Sequence, residues 1–151
     1  MANSLSLSQT LFTSALTTAA TTAALFALSK KDTQHPAAAL NATSHILWGE
    51  DAAKYDDWDV RHTLAGALLN AGAMGAWSVV QGLFPAPRSL FGAARNGAAV
   101  TALAYFTDYH VVPQRLTPGF EHRLSRKSLL ASYVVLAASL TLSGYVLRRR
   151  D

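Results

Sequence analysis

The chain has 151 residues, of which 50% are hydrophobic and only 15% are charged. Soluble domains carry about 25% charged residues, so this composition indicates a membrane protein rather than a water-soluble one. The net charge of +4 does not indicate nucleic-acid binding, because the Lys and Arg residues border apolar runs, where they mark the ends of membrane helices. The absence of cysteine excludes disulfides, iron–sulfur clusters and cysteine nucleophiles.

Four apolar intervals approach the roughly 20 residues that a helix needs to cross a hydrocarbon core about 30 Å thick. They cover residues 8–29, 63–84, 89–112 and 128–147. The first interval could also be a secretory signal peptide, but a signal peptide begins with basic residues and no Lys or Arg precedes this interval. A retained helix is therefore predicted. The sequence therefore predicts one all-α domain over residues 1–151, an integral membrane four-helix bundle with both termini on one side. Gly66, Gly72 and Gly97 are expected at close helix contacts.

The basic residues near the membrane ends leave the orientation open. Eight of them flank the first and third loops and five lie on the other side, which favours cytoplasmic first and third loops. The dense Arg148–Arg150 triplet favours the reverse orientation.

The loop between the first two spans, about residues 32–61, is long enough to need structure of its own. We predict a helix over about residues 36–53, beginning at Pro36 and lying in the membrane interface, because it carries Leu40, Leu47 and Trp48 among other large apolar residues. Asp59 is predicted to cap the second span, and Pro118-Gly119 to occupy a type II turn in the third loop.

Titratable side chains collect on one predicted membrane side, which holds all five His and eight of the nine acidic residues. One interpretation is a polar cap that binds a ligand or partner. The other is that two unequal loops on that side gather polar residues by default. The candidate cap residues are His45, Glu50, Asp59, Arg61, His62, Asp108, His110, Arg115 and Glu121.

A metal site is one possible role for this cap. Asp59 and His62 have the carboxylate-x-x-His spacing of di-metal helical bundles, and imidazole with carboxylate suits zinc, iron or manganese. The metal candidates are His45, Asp59, His62, Asp108 and His110. There is no His-x-x-x-His or His-Glu-x-x-His, and no two His lie at matching depth for a b-type haem. We therefore expect that the protein holds no cofactor, and a transition metal is the alternative.

A structural role is the other possibility for the same residues. Asp108 lies near a helix C-terminus, where the helix dipole disfavours a carboxylate. We therefore predict that Asp108 pairs with Arg61 or Arg115. Arg61 and His62 then form an interface pair at the start of the second span, capped by Asp59.

Two stretches carry a resemblance to a known group of proteins. Residues 41–49 (NATSHILWG) and 108–121 (DYHVVPQRLTPGFE) resemble a hypothetical four-helix family of small bacterial inner-membrane proteins. The likeness extends over about residues 37–147. It implies a multi-pass bacterial inner-membrane location and supplies no reaction, ligand or partner. Asn41-Ala-Thr43 also matches a glycosylation sequon, which has no meaning in a bacterial protein.

Three functions follow from these patterns, and no catalytic residue is assigned because no nucleophile elbow or phosphate loop occurs. The first is a non-catalytic accessory or ligand- and lipid-binding subunit with a polar His/carboxylate cap. The alternative is a membrane-embedded metal-dependent enzyme that uses the cap residues. The third is an oligomeric transporter. The expected partners are membrane lipid and either another protein or further copies of this chain, and not nucleic acid.

Overall fold

The computed structural model describes residues 6–148, and this part of the chain is helical and contains no strand. The α-helices are α1 (Leu7–Thr33), α2 (Ala38–Thr43), α3 (His45–Trp48), α4 (Ala65–Gly82), α5 (Leu90–Phe106) and α6 (Arg126–Arg148). A π-helical turn, Val60–Leu64, leads into α4, and a second, Thr107–Val111, follows α5. Short 3-10 turns cover Glu50–Lys54, Gln114–Leu116 and Phe120–His122.

Local side-chain chemistry explains where α1 ends and where α5 begins. Lys30 and Lys31 lie in the last turn of α1, where positive charge is favourable, and Gln34 then ends the helix in the left-handed conformation with φ 69°. Ser89 caps α5 by accepting a hydrogen bond from the Gly92 amide at 3.0 Å.

Helix α1 packs against both α4 and α6, and α5 packs mainly on α6. One apolar core lies between α4, α5 and α6 and includes Met74, Val100 and Leu140. Gly97 allows the close approach of α5 to α6, since a Cβ there would lie 2.8 Å from the Ala137 carbonyl oxygen. The expected close contact at Gly97 is therefore confirmed.

The expected close contact is also confirmed at Gly66, where a Cβ would overlap the carbonyl oxygen of Leu40. It is wrong for Gly72, which faces open space with no atom within 4 Å of a Cβ built there. Small residues at helix-packing spacings thus mark close contacts at only some of their positions in this fold.

Within residues 6–148, three helices are long and apolar enough to cross a membrane: Leu7–Thr33, Val60–Gly82 and Arg126–Leu147. The expectation of four spans is not supported, because α5 falls short. Its 17 α-helical residues reach only about 26 Å at 1.5 Å per residue. Arg95 and Asn96 lie within it and Asp108 follows it, which lowers the apolar character of any longer window.

The predicted interfacial helix over residues 36–53 is not continuous, and only its second part, with Leu47 and Trp48, is exposed. It is divided into α2, α3 and a 3-10 turn, with a break at Gly49, whose φ is +87°. Every residue from Ala37 to His45 is buried, so this segment lies inside the fold rather than on a membrane surface. The physical reason is its small side chains, which let the α2 backbone reach Gly66 of α4 and Gly119 of the third loop.

The apolar contacts of α2 form a second core at this end of the molecule. Leu40 of α2 packs there with Leu25 of α1 and with Phe120 and Leu124 of the third loop. The first and third loops are further joined by an ion pair between Arg123 and Asp56. The basic residues Arg149 and Arg150, on which one orientation depended, lie outside the described residues.

Candidate functional site

The predicted cap residues fall into separate groups rather than one cluster. The first group is Asp59 and His62, at the start of α4. The Asp59 carboxylate accepts a hydrogen bond from the His62 amide at 3.0 Å and another from the Nδ1 of the same residue. These two bonds lower the pKa of Asp59 below its usual value. Asp59 is therefore the N-cap that the sequence predicted, and its carboxylate is occupied by that role.

The His62 ring is held by packing as well as by hydrogen bonding. It is buried and stacks on Tyr55, with ring centroids 3.8 Å apart and planes 18° apart. Arg61, next to it in the chain, points instead toward Trp48, and its guanidinium carbon lies 4.3 Å from the centre of that ring. This contact is a cation–π interaction at the edge of the first loop.

His45 forms a second group, which connects the first loop to the third. The ring is fully buried, and its Nε2 lies 3.0 Å from the carbonyl oxygen of Thr117. Because a carbonyl only accepts, Nε2 carries the proton in this contact. The Nδ1 atom lies 3.4 Å from a Glu50 carboxylate oxygen and makes no hydrogen bond.

Gly119 makes room for the His45 ring. Its φ of +77° and ψ of 1° are those of the third residue of a type II turn, as predicted for Pro118-Gly119. A Cβ at Gly119 would lie 2.9 Å from the Cδ2 of His45. Glycine therefore meets both the backbone and the packing requirement at this position.

Asn41 was missed as a site-forming residue, although it organises the cap. Its buried side chain donates to the carbonyl oxygens of Tyr55 at 3.1 Å and Asp57 at 2.8 Å, and accepts from the Thr63 hydroxyl at 2.6 Å. These bonds fix residues 55–59 between α2 and α4. The sequence signals Asn41 only through the resemblance and the sequon, neither of which predicts burial.

The predicted ion pair of Asp108 with Arg61 or Arg115 is wrong. Within the described residues Asp108 takes part in no ion pair, and it accepts a hydrogen bond from the Tyr133 hydroxyl at 2.6 Å. The reason is helix placement: α5 packs on α6, which carries Tyr133, and the start of α4, which carries Arg61, lies against α2. Arg115 is exposed on the third loop.

The metal candidates are not brought together. No group of three or more His, Asp or Glu in residues 6–148 is arranged to hold a metal ion. His45 is engaged with the third loop, Asp59 and His62 with each other, and His110 with the aromatic ring of Phe106, 5.2 Å away and nearly parallel.

A groove lies between α5 and α6, beside Asp108. Its volume is about 460 Å³, and it is lined by Ala98, Thr101, Ala102, Tyr105, Phe106, His110, Leu130, Tyr133, Val134 and Ala137. Three of these are alanines, whose small side chains leave the space open. The groove is almost wholly apolar along the helices, and His110 and Tyr133 place polar atoms along its lining.

Three tyrosines pack together beside this groove. The ring of Tyr105 lies 5.2 Å from that of Tyr109 and 5.3 Å from that of Tyr133, and Tyr109 lies 6.2 Å from Tyr133. The two contacts of Tyr133 are edge-to-face, which is a favoured arrangement for aromatic pairs. The Tyr133 hydroxyl bound to Asp108 therefore belongs to an ordered aromatic cluster.

Glu121, the remaining cap candidate, lies on the third loop. It accepts a hydrogen bond from the Thr117 hydroxyl at 3.0 Å and lies 3.9 Å from the Nε2 of His122. Of the predicted cap residues, Asp108 and His110 thus lie at the end of α5, and Arg115 and Glu121 lie on the third loop. His45, Glu50, Asp59, Arg61 and His62 lie on the first loop and at the start of α4.

No family model, no curated protein and no solved structure matches the chain. The resemblance to small bacterial inner-membrane proteins stays a prediction.

Proposed function

We propose that this protein is a small polytopic membrane protein without catalysis of its own, which binds an amphipathic, lipid-like ligand in the groove between α5 and α6. The observation that carries the proposal is the groove itself. Its volume of about 460 Å³ lies within the range of about 300–1,000 Å³ typical of small-molecule sites, which are likewise mostly apolar with a few polar groups.

The position of the groove suits a ligand that partitions into a bilayer. Exposed apolar side chains border it, among them Leu130 and Val134 of α6 and Phe106 of α5. A hydrocarbon chain lying between the two helices would cover the alanine-lined surface, and its polar head would meet the end that carries His110 and Asp108. The cap residues of the first loop hold the loops together. A structural role for them is consistent with ligand binding in the groove.

The proposal includes four membrane crossings, with α5 and its π-helical turn as the third. Two contacts support this arrangement. The Ser125 amide donates to the Asp32 carboxylate at 2.8 Å, so α6 begins beside the end of α1. The Asn96 side chain donates to the Pro85 carbonyl at 2.9 Å, so α5 begins beside the end of α4.

Reporter fusions test the number of crossings. A reporter placed after residue 34 and one placed after residue 151 are expected to report opposite membrane sides. If α5 does not cross, both reporters report the same side, and the four-crossing arrangement is refuted. We also propose the bacterial inner membrane as the location, from the resemblance alone.

The binding function is tested by extracting the protein in mild detergent and identifying copurified lipids by mass spectrometry. The variant Ala102→Leu fills the groove, and Ala73→Leu makes the same change at an exposed position of α4 as a control. We expect a retained lipid in the wild type and in Ala73→Leu, and its loss in Ala102→Leu. Equal lipid content in all three proteins would refute binding in the groove.

The metal-dependent enzyme remains the alternative, but no three-residue ligand cluster within residues 6–148 supports it. Elemental analysis of the purified protein separates the two functions, because stoichiometric transition metal would support only the enzyme. The oligomeric transporter also remains a prediction, and so does assembly with another protein or with further copies of the chain.

A further inference from the structure

A carboxyl group, that of Asp108, lies beside the α5–α6 groove and is bonded to the lining residue Tyr133. Asp108 is hydrogen-bonded to Tyr133 and has no ion pair with a cation among the described residues. Arg61 lies instead against Trp48, and Arg123 pairs with Asp56. An opposite charge close to a carboxyl group favours its ionised form, so an ammonium group that binds beside Asp108 would stabilise the carboxylate and be attracted by it.

The aromatic cluster at the same end has the chemistry to receive that cation. The π faces of tyrosine rings attract ammonium groups, and sets of aromatic rings recognise quaternary ammonium ligands. Tyr105 and Tyr133 line the groove, and Tyr109 packs against both. Tyr105 is 43% exposed, so its ring is accessible to a ligand entering from the membrane.

From the groove, the Asp108 carboxylate and the tyrosines together we infer that the ligand is an amphipathic cation. Its hydrocarbon chain lies along the alanines of α5 and α6, and its ammonium head lies against Tyr105 and Tyr133 near the Asp108 carboxylate. This inference rests on the proposed lipid-binding function and specifies the chemical class of the head. A zwitterionic head is expected to bind less tightly, because the Asp108 carboxylate would repel its anionic part.

The test uses three photoreactive dodecyl probes with the same diazirine-bearing chain and different heads: trimethylammonium, sulfobetaine and hydroxyl. The full chain is reconstituted in nanodiscs at a fixed pH of about 8, well above the usual imidazole pKa. Labelling is mapped by mass spectrometry, and each unlabelled amphiphile competes with its probe. We expect labelling of residues 98–110 and 130–137, with the ammonium amphiphile binding at least about tenfold more tightly than the alcohol.

Two variants examine the head site. Asp108→Asn keeps the shape and an acceptor oxygen but removes the charge, and is expected to reduce the preference for ammonium over hydroxyl to about twofold or less. Tyr105→Leu removes a half-exposed ring and is expected to weaken only the ammonium probe, which keeps the inference testable if Asp108→Asn does not fold. Asp51→Asn, in an exposed pair with Lys54, is the control and is expected to retain the preference.

The outcomes separate the two proposals. If ammonium and hydroxyl probes label the groove equally and both are lost in Ala102→Leu, the groove binds chains but the cation inference is overturned. If no probe labels α5 or α6, the proposed lipid-binding function is overturned as well. If the ammonium preference persists in both Asp108→Asn and Tyr105→Leu, the head does not lie at this site and the inference is also overturned.

Discussion

Replacing Asn41 with alanine tests whether the buried α2 segment holds the two loops in place. The buried side chain makes three hydrogen bonds, to Tyr55, Asp57 and Thr63, each of them partly buried. A hydrogen bond contributes about 1 kcal/mol, and more is lost when its partner is left unsatisfied. We therefore expect Asn41→Ala to lower the free energy of unfolding by about 3 kcal/mol.

A second asparagine provides the matched control. Asn96 is also buried, but only one hydrogen bond of its side chain is formed, to the Pro85 carbonyl. Asn96→Ala is expected to cost about 1 kcal/mol. Unfolding is followed in detergent by denaturant titration, with tryptophan fluorescence as the signal. Trp58 is a suitable reporter because it contacts Phe26 of α1, with ring centroids 5.0 Å apart, and lies within the segment that Asn41 fixes.

The energetic coupling between Asn41 and Thr63 tests their shared hydrogen bond specifically. The double variant Asn41→Ala/Thr63→Ala is expected to cost less than the sum of the single variants, because the two side chains share one hydrogen bond. If Asn41→Ala costs no more than Asn96→Ala, or if the two changes are additive, the Asn41 network does not stabilise the fold and the reasoning is refuted.

Two further predictions concern packing and pH. Gly66→Ala is expected to lower the free energy of unfolding by about 1–3 kcal/mol, because the new Cβ overlaps the Leu40 carbonyl. Gly72→Ala, at an open helix position, is expected to leave the stability unchanged or to raise it slightly. Equal effects of the two changes on the denaturation midpoint would contradict this packing. The pKa of Asp59 is lowered by its bonds to His62, so its contribution to stability is present above the unfolded pKa of about 3.9 and is lost as pH falls through the folded pKa. The melting temperature of the wild type is therefore expected to exceed that of Asp59→Asn at neutral pH, and the difference is expected to shrink below about pH 4. A difference in melting temperature that does not change with pH would contradict this role of the Asp59–His62 bonds.

The sequence predicted local features of this protein well, because hydropathy, capping and turn chemistry act over a few residues. The helices Leu7–Thr33, Val60–Gly82 and Arg126–Leu147 cover the predicted intervals 8–29, 63–84 and 128–147 to within a few residues at most ends. Asp59 caps the second of them, and the Gly119 turn has the expected conformation. Each of these depends on neighbours in the chain.

The placement of α2 depended on tertiary structure. Leu40 was expected to need a membrane surface, but it is buried against Gly66 and Phe120, which are distant in sequence. A short alanine-rich segment has the same local pattern whether it lies on a bilayer or inside a bundle. Burial was therefore decided by which helices leave space for it.

The candidate site was decided in the same way. Asp108 was predicted to need a cation, and that physical requirement follows from its position near a helix end. Its actual neighbour, Tyr133, is 25 residues away on α6, and the groove beside them exists only because α5 packs on α6 rather than on α4. The sequence by itself determined that the chain is helical and mostly apolar, and that its titratable residues collect in the first and third loops and beside them. Only the tertiary structure decided which polar groups meet, because helix pairing depends on contacts between residues far apart in the chain.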